Sequence, residues 1–451
     1  MTREVVIGAL ATGSTAGLVL VSLAQPVLTV GVAVAICVGF VFLTVPRGLR
    51  FGVGFGAGLA AIFLVPTTVF GINFLSSSVP MLVSTGLIAM GAISMRRRLR
   101  VPPHFWTFAV VLMSGVAGGL LAGLFDGLTT ITMIYAAIVW FFAGNLNEDE
   151  RVTASRIFVA GAALLAVLAS AETLLLGHAI FAPTPFPYRN PLVGTIRGQA
   201  TLAQPLVAGF VMLSALSVLL RLAMRRTTRL TASALLLVGI VCTGSSSCVV
   251  LALLIILFVA VTSGPLPSRV STSILAVAAL LVIVTASAFG AVVGDLSISS
   301  NSHRANSIAA IPNLLRMRPN AEVVFGSGWS SVRKLFDLNL FSNDKFYAID
   351  NQYVAMLAFG GLVGVGALIV LIFALWRRRP HPEMLMPVAI ILAMGFSFDF
   401  LLWPVASACF AFLASWRLAP AHGVLPQSAG DWARPTCQGW VRPAANSKSA
   451  A

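Results

Sequence analysis

The sequence predicts an all-α polytopic membrane protein with about 14 (12–14) transmembrane helices and one large extracytoplasmic loop between residues 294 and 350. Three observations predict it. Of the 451 residues, 58% are hydrophobic and 10% charged, with mean hydropathy +0.96, whereas a soluble domain is typically about 25% charged. Apolar segments of roughly 15–25 residues recur along the chain, each long enough to cross a ~30 Å hydrocarbon core as a helix. The links between them are short and rich in arginine. A chain in lipid must satisfy its own backbone hydrogen bonds, which makes each apolar segment a helix.

In chain order the spans fall near 5–23, 27–45, 51–71, 79–95, 106–125, 128–145, 157–176, 200–220, 230–244, 246–262, 270–293, 351–375, 384–400 and 402–416. The first follows only Met1 to Glu4 and leads straight into the second, so it reads as a retained span rather than a cleaved leader. The tight pairs 230–262 and 384–416 also fit one long tilted helix each. With these spans, 21 of the 29 Lys and Arg residues lie on one side. That is the positive-inside bias of a cytoplasmic face, and it places both termini in the cytoplasm. The net charge of +15 is therefore topogenic and does not point to nucleic acid.

Three regions follow: an N-terminal bundle, 1–176; a region 177–416 that includes the outer loop; and a tail, 417–451, rich in Pro, Ala, Gly and Ser and expected to be disordered. Two segments stand outside the membrane, opposite the arginine clusters. One is 177–199, "GHAIFAPTPFPYRNPLVGTIRGQ", too polar to insert. The other is 294–350, whose "IAAIPNLLRMRP" suits a short amphipathic helix at the interface.

The chemistry-bearing groups collect on that outer side. Arg197 and Gln204 sit at the outer end of the span 200–220. Arg197 suits an interfacial guanidinium snorkelling to headgroups, and equally a cation holding an anionic headgroup by paired hydrogen bonds. The loop adds His303, Arg304, Arg316, Arg318, Arg333, Lys334 and Lys345, of which any single one also fits a solvated loop charge. "FGSGWSS" carries Gly326 and Gly328, which permit a tight turn or a close backbone approach. "DNQY", from Asp350 to Tyr353, precedes a long apolar run. Asp350 and Asn351 suit a helix cap as well as they suit a substrate site. Glu172, Asp126 and Asp399 reach the interface from span ends and rank second.

Some chemistries are argued against. There is no phosphate-binding Gly-Lys-Ser/Thr loop, no zinc spacing and no Asp-x-Asp-type acidic cluster on the outer side, so no cofactor and no metal is expected. The five cysteines (Cys37, Cys242, Cys248, Cys409 and Cys437) show no ligand spacing and read as packing residues. No inverted repeat of the transporter kind is visible.

Taken in order, these residues resemble the O-antigen ligase and polymerase superfamily of bacterial surface-polysaccharide enzymes, over roughly residues 190–416. "RGQATLAQPL" looks like the family's Arg motif, with Arg197 as the arginine and Gln204-Pro205 as the polar-Pro pair. Ala200 stands where the family has Gly, and Leu202 where it has an aromatic residue. "TGSSSC", from Thr243, is similar to a Thr-x-Ser-Arg-Gly step but has Ser246 in the arginine's place. Arg304, Pro319, Gly326, Gly328, Asp350-Asn351 and "GGLVG", from Gly360, follow in the family's order.

The resemblance implies a metal-independent, inverting glycosyltransferase of the bacterial cytoplasmic membrane, with its site facing the periplasm or cell exterior. The substrate it implies is an oligosaccharide carried on undecaprenyl pyrophosphate. Arg197, Arg304 and Asp350 would be catalytic; Gln204, His303, Asn351, Gln352, Tyr353, Gly326 and Gly328 would bind substrate. A flippase and a chain-length regulator of the same pathway are the implied partners. Asp rather than His at 350 favours a polymerase over a ligase that moves finished glycan to another acceptor. A non-enzymatic exporter is the rival class, and it predicts charges at the middle of several helices instead of on one face.

Overall fold

The computed structural model describes residues 44–66, 74–95, 97–124, 126–181, 190, 193–262, 298–341, 349–377 and 382–415. All belong to one compact unit, Met1–Arg417. The spans expected at 5–23 and 270–293, most of that at 27–45, and the tail 417–451 lie outside the described residues. Among the described residues the chain is helical, with no strand. Three helices are long and apolar enough to cross a membrane: Arg47–Leu64, Glu148–Leu176 and Gln352–Arg377. Six shorter apolar helices accompany them.

The first half holds α1 (Arg50–Leu64), α2 (Phe74–Ile93), α3 (Phe105–Leu121), α4 (Gly127–Ala143) and α5 (Glu148–Ser170), which runs on as a π turn, Ala171–Leu176. Glycines at alternate positions of α1 serve two neighbours at once. A methyl group on Gly52 or Gly56 would lie 2.4 or 2.8 Å from backbone atoms of α5; on Gly54 or Gly58 it would lie 2.8 or 2.7 Å from those of α2. Two i, i+4 stripes of small residues thus let α1 approach both helices closely, as membrane helices do where dispersion must replace the hydrophobic effect. Helix starts are capped by local carboxylates and amides: Asp126 accepts the amides of Leu128 and Thr129, and Asn147 with Glu150 forms a capping box.

The second half holds α6 (Pro205–Leu219), α7 (Arg226–Thr243) and α8 (Ser246–Thr262). Four short helices follow: α9 (Ile298–Ala309), α10 (Ile311–Arg316), α11 (Asn320–Phe325) and α12 (Val332–Asp337). Then come α13 (Gln352–Arg377), α14 (Pro382–Met394) and α15 (Pro404–Ala414). α6 and α15 are apolar all round and buried all round, as a core helix must be. Aromatic rings close the centre: Phe108 stacks on Trp140 at 4.3 Å, and Phe410 tilts against Phe108 at 5.8 Å. The tight pairs are two helices each, not one. Gly244 at φ +62° separates α7 from α8, and residues 395–403 separate α14 from α15.

One part of the long polar segment does not stay at the surface. Residues 324–331 are wedged between α3 and α13. The indole of Trp329 donates to the carbonyl of Leu112 at 2.9 Å. That carbonyl lies nine residues, roughly 14 Å, inside the C-terminal end of α3 at 1.5 Å per residue. Facing the wedge, α13 is broken at Gly361 (φ 62°, ψ −160°). The break frees carbonyls that an unbroken helix would satisfy. Arg318 donates to those of Leu357 (3.1 Å) and Ala358 (2.8 Å), and the amides of Ser327 and Gly328 to those of Ala358 and Phe359, at 3.0 Å each. Irregular backbone at such depth persists only when protein supplies the missing bonds.

Candidate functional site

The site is assembled around one buried carboxylate. Glu172, in the π turn that ends α5, is fully buried. It accepts the amides of Gln199 and Ala200 at 2.7 Å on one oxygen and that of Ile180 at 2.8 Å on the other. Three amides on one carboxylate are charge-assisted bonds, and they fix the segment that carries Arg197. That segment is strained. Ala200 (φ 49°) and Ala203 (φ 53°) occupy the left-handed region without being glycine, at about 1–2 kcal/mol each. Thr201 adds a hydroxyl bond to the carbonyl of Phe63. Position 200 therefore requires a left-handed backbone that suits glycine, here met by alanine at a cost.

Arg197 is half-buried and donates from Nε to the carbonyl of Thr243 at 2.9 Å. The same helix end is closed by Gly198 N and Asn190 Nδ2 on the carbonyl of Cys242, both 2.9 Å, and by Thr173 at 3.1 Å. A cation at the C-terminus of α7 also complements the helix dipole. The chain then turns through Gly244 into α8, whose first turn brings Cys248 toward Arg197. Gly209 of α6 makes room for that thiol: a Cβ there would lie 2.9 Å from Cys248 Sγ. Ser246 is exposed at this corner.

Arg304 arrives from α9. It faces Asp350, Cys248 and Arg197. Burial pulls its pKa below the usual guanidinium value, and Asp350 and Cys248 oppose the shift. Burial lowers Arg197 likewise, opposed by Cys248 and reinforced by Arg304. Nε of Arg304 is buried with no hydrogen-bond partner among the described residues. Two half-buried guanidiniums that repel each other, beside a single carboxylate, form a place that suits an anion. His303 shares α9 with Arg304; its side chain lies outside the described residues.

On the opposite side stands "DNQY". Asp350 is half-buried and close enough to Arg304 and to Asp399 for their charges to act on one another. Asn351 caps α13, its Oδ1 accepting the amides of Tyr353 (3.0 Å) and Val354 (3.1 Å). Gln352 is fully buried. Its amide donates to Gly395 O at 2.7 Å and its Oε1 accepts Leu401 N at 2.8 Å, while its Nε2 has no partner among the described residues. Tyr353 donates to Leu392 O at 2.7 Å and packs its ring on Phe396 at 4.7 Å. Gln352 and Tyr353 thus hold the turn 395–403 in place. Gln204, at the start of α6, has its Oε1 buried without a partner among the described residues.

The structure therefore brings together Arg197, Arg304 and Asp350. It places Gly326 and Gly328 elsewhere, against α3 and α13. A Cβ on Gly326 would lie 2.0 Å from Phe359 O, and one on Gly328 2.2 Å from Gly119 Cα. Phe359 is about 10 Å along α13 from Gln352, the first residue of that helix. These glycines act as packing residues for the wedge. Two members of the cluster were not singled out for it by the sequence. Cys248 reads there as packing, and Asp399 as one of several interfacial acids. The "GGLVG" and "GSG" pairing was the available signal for the wedge, since both runs need a partner backbone at close range.

No protein-family model and no curated protein matches the chain.

Proposed function

We propose that the protein is a multi-pass glycosyltransferase of the bacterial cytoplasmic membrane. It polymerises oligosaccharide repeat units carried on undecaprenyl pyrophosphate into exopolysaccharide, capsule or O-antigen at the outer face. The observation that carries this reading is the buried Nε of Arg304, unpartnered among the described residues, facing Arg197 and lying next to Asp350. Two guanidiniums suit a pyrophosphate, whose oxygens accept paired N–H donors. A carboxylate beside them suits an attacking hydroxyl.

In this mechanism a sugar hydroxyl of one lipid-linked chain attacks the anomeric carbon of another with inversion. The C–O bond to pyrophosphate breaks and its electron pair leaves with the phosphate, where Arg197 and Arg304 stabilise the growing charge. Loss of one such donor costs about 2.7–4 kcal/mol in well-studied sites. The hydroxyl proton passes to Asp350. Pyrophosphate is already an activated leaving group, so the step calls on neither nucleotide nor metal. Gln204 Oε1 and Gln352 Nε2 are available to sugar hydroxyls. The fourteen-span topology with both termini cytoplasmic belongs to this proposal, as do a flippase and a chain-length regulator as partners.

The test is the length of surface polysaccharide in a deletion strain carrying wild type, Arg197→Ala or Asp350→Asn. A polymerase predicts loss of long polymer and accumulation of single lipid-linked repeats, rescued by wild type alone. Polymer of normal length that stays on its carrier assigns a ligase. Repeats trapped on the cytoplasmic side assign an exporter and overturn the reading.

A further inference from the structure

Between α3 and α4 lies a cavity of about 310 Å³ whose walls are apolar side chains throughout, among them Phe105, Leu112, Met113, Met133, Ile134 and Phe141. It opens sideways, where Met113 and Ile134 are half exposed. One end lies where α3 begins and α4 ends: there Phe105 and Phe141 meet edge to face, ring centroids 5.8 Å apart. The chain has helices long and apolar enough to cross a membrane, so the medium that meets this opening is hydrocarbon. A groove left empty would forfeit the dispersion contacts of its lining.

Arginines stand at the same end. Their segment is pinned by Asn145, one turn past Phe141. Arg100 N donates to Asn145 Oδ1 at 2.9 Å, and Asn145 Nδ2 donates to the carbonyls of Arg100 and Phe141, both at 2.8 Å. Pro102 packs so closely on Gly144 that a Cβ there would lie 2.5 Å from the proline ring. Arg97 is already engaged: it pairs with Glu150, donates to Asn145 O and lies over the Phe51 ring, 5.9 Å from its centroid. Arg98 and Arg100 are exposed, and their guanidiniums make no hydrogen bond or ion pair among the described residues. The acids that follow α4, Glu148 and Asp149, are exposed as well and pair with neither. Leu99, Val101 and Trp106 are exposed beside these arginines. Cationic and apolar side chains in alternation, with an indole, are the composition of a segment at headgroup level.

The groove by itself selects nothing, because every lipid tail is as apolar as its lining. Selection falls to the headgroup. We propose that the α3–α4 groove, with Arg98 and Arg100 at its end, binds one anionic phospholipid of the bilayer leaflet on that side. One acyl chain fills the groove, and the two forked guanidiniums hold the phosphodiester, whose oxygens accept paired N–H donors. None of these residues belongs to the Arg197, Arg304 and Asp350 cluster, and the proposal holds whether or not the protein transfers glycan.

Native mass spectrometry of the full-length protein, titrated with phosphatidylglycerol or phosphatidylcholine of matched chains, tests this by counting bound lipids one at a time. The first phosphatidylglycerol is expected to bind more tightly than the first phosphatidylcholine, by roughly five-fold for each arginine. Arg98→Gln with Arg100→Gln is expected to close that gap; the pins to Asn145 use only the backbone of residue 100 and survive the change. Arg225→Gln with Arg226→Gln, two exposed arginines at the start of α7, should leave the gap as it is. Ala137→Phe, which fills the groove without altering charge, is expected to weaken binding of both lipids. Equal affinity of wild type for the two lipids overturns the proposal without any variant having to fold. So does an equal loss from either arginine pair, which would mean diffuse surface charge. Unchanged binding in folded Ala137→Phe overturns the groove's part, and displacement of phosphatidylglycerol by a polyprenyl pyrophosphate assigns the groove to an isoprenoid chain instead.

Discussion

Arg318 caps Ala358. Its Nη1 lies 2.8 Å from the Ala358 carbonyl, which an unbroken α13 would have given to the amide four residues on. With Nη2 on Leu357 and Nε on Leu314, one arginine ties the helix break to the loop that fills it. Its guanidinium is buried by that work and has another oxygen at 3.2 Å in Ser327.

Replacing Arg318 with Met is expected to leave the Leu357 carbonyl without its donor. The cost is about 1–3 kcal/mol, read as a lowered Tm for the purified protein in detergent. An unchanged Tm would mean that the break is satisfied by the loop backbone alone.

Gly328→Ala tests the wedge from the other side. Its φ of +91° and the 2.2 Å approach to Gly119 leave no room for a methyl group. The variant is expected to lose most folded protein in membranes, as measured by fluorescence-detected size exclusion. Gly366→Ala, at a helical position with open space around it, is the control and is expected to be neutral or stabilising by up to about 1 kcal/mol.

Glu172→Gln removes the charge from three hydrogen bonds and converts at least one acceptor lone pair into a donor that faces an amide. Bonds to a charged group contribute about 1.5–3 kcal/mol each, so both stability and the placement of Arg197 are expected to suffer. Limited proteolysis should then cut within 177–199 faster than in wild type. Equal cutting rates would show that the strained segment holds itself.

Arg304→Ala is expected to lower kcat for transfer by 10²–10³-fold, the usual effect of losing one donor to a developing negative charge. Arg304→Lys should recover only part of it, because an ammonium cannot make the planar paired contact. Full recovery by lysine would reduce Arg304 to a point charge.

A pH effect follows from Glu322. Burial pushes its carboxyl upward, but the Ser327 hydroxyl and the Lys334 ammonium, 3.2 Å away, together with the charge of Arg318, bring it below its ordinary value. A folded pKa below the unfolded one gives stability that is complete above the ordinary carboxylate range and lost as pH falls through the folded value. Wild type is therefore expected to lose more Tm than Glu322→Gln between about pH 6 and about pH 3. Parallel losses would show that the Ser327 and Lys334 contacts add nothing in solution.

The helical class was legible because apolar length is a local quantity, and three of the expected spans are helices long and apolar enough to cross a membrane. Arg197 and Asp350 stood out in the sequence because each adjoins an apolar run, but that Arg304 acts on both depends on how α9 is placed, which no local pattern gives. The wedge was not legible. Gly326, Gly328 and Gly361 signal only that some backbone comes close, and nothing in a local pattern says which. The N-cap role of Asn351 was legible from residue type and position. The place of Asp399 beside Asp350 was not, because it depends on a turn fixed by Gln352 from 49 residues away.

The break at Gly361 also acts as a mechanical decoupler. The half of α13 after Gly361 exposes Leu362, Ile369, Val370 and Phe373, the kind of surface that follows lipid when a bilayer thins or thickens. A continuous rod would transmit that tilt along its whole length to Asp350. A rod severed at Gly361, with its other half anchored to Arg318 and the wedge, leaves the tilt on the lipid-facing side. On the function proposed above, such a break would shield the carboxylate of Asp350 from fluctuations in membrane thickness.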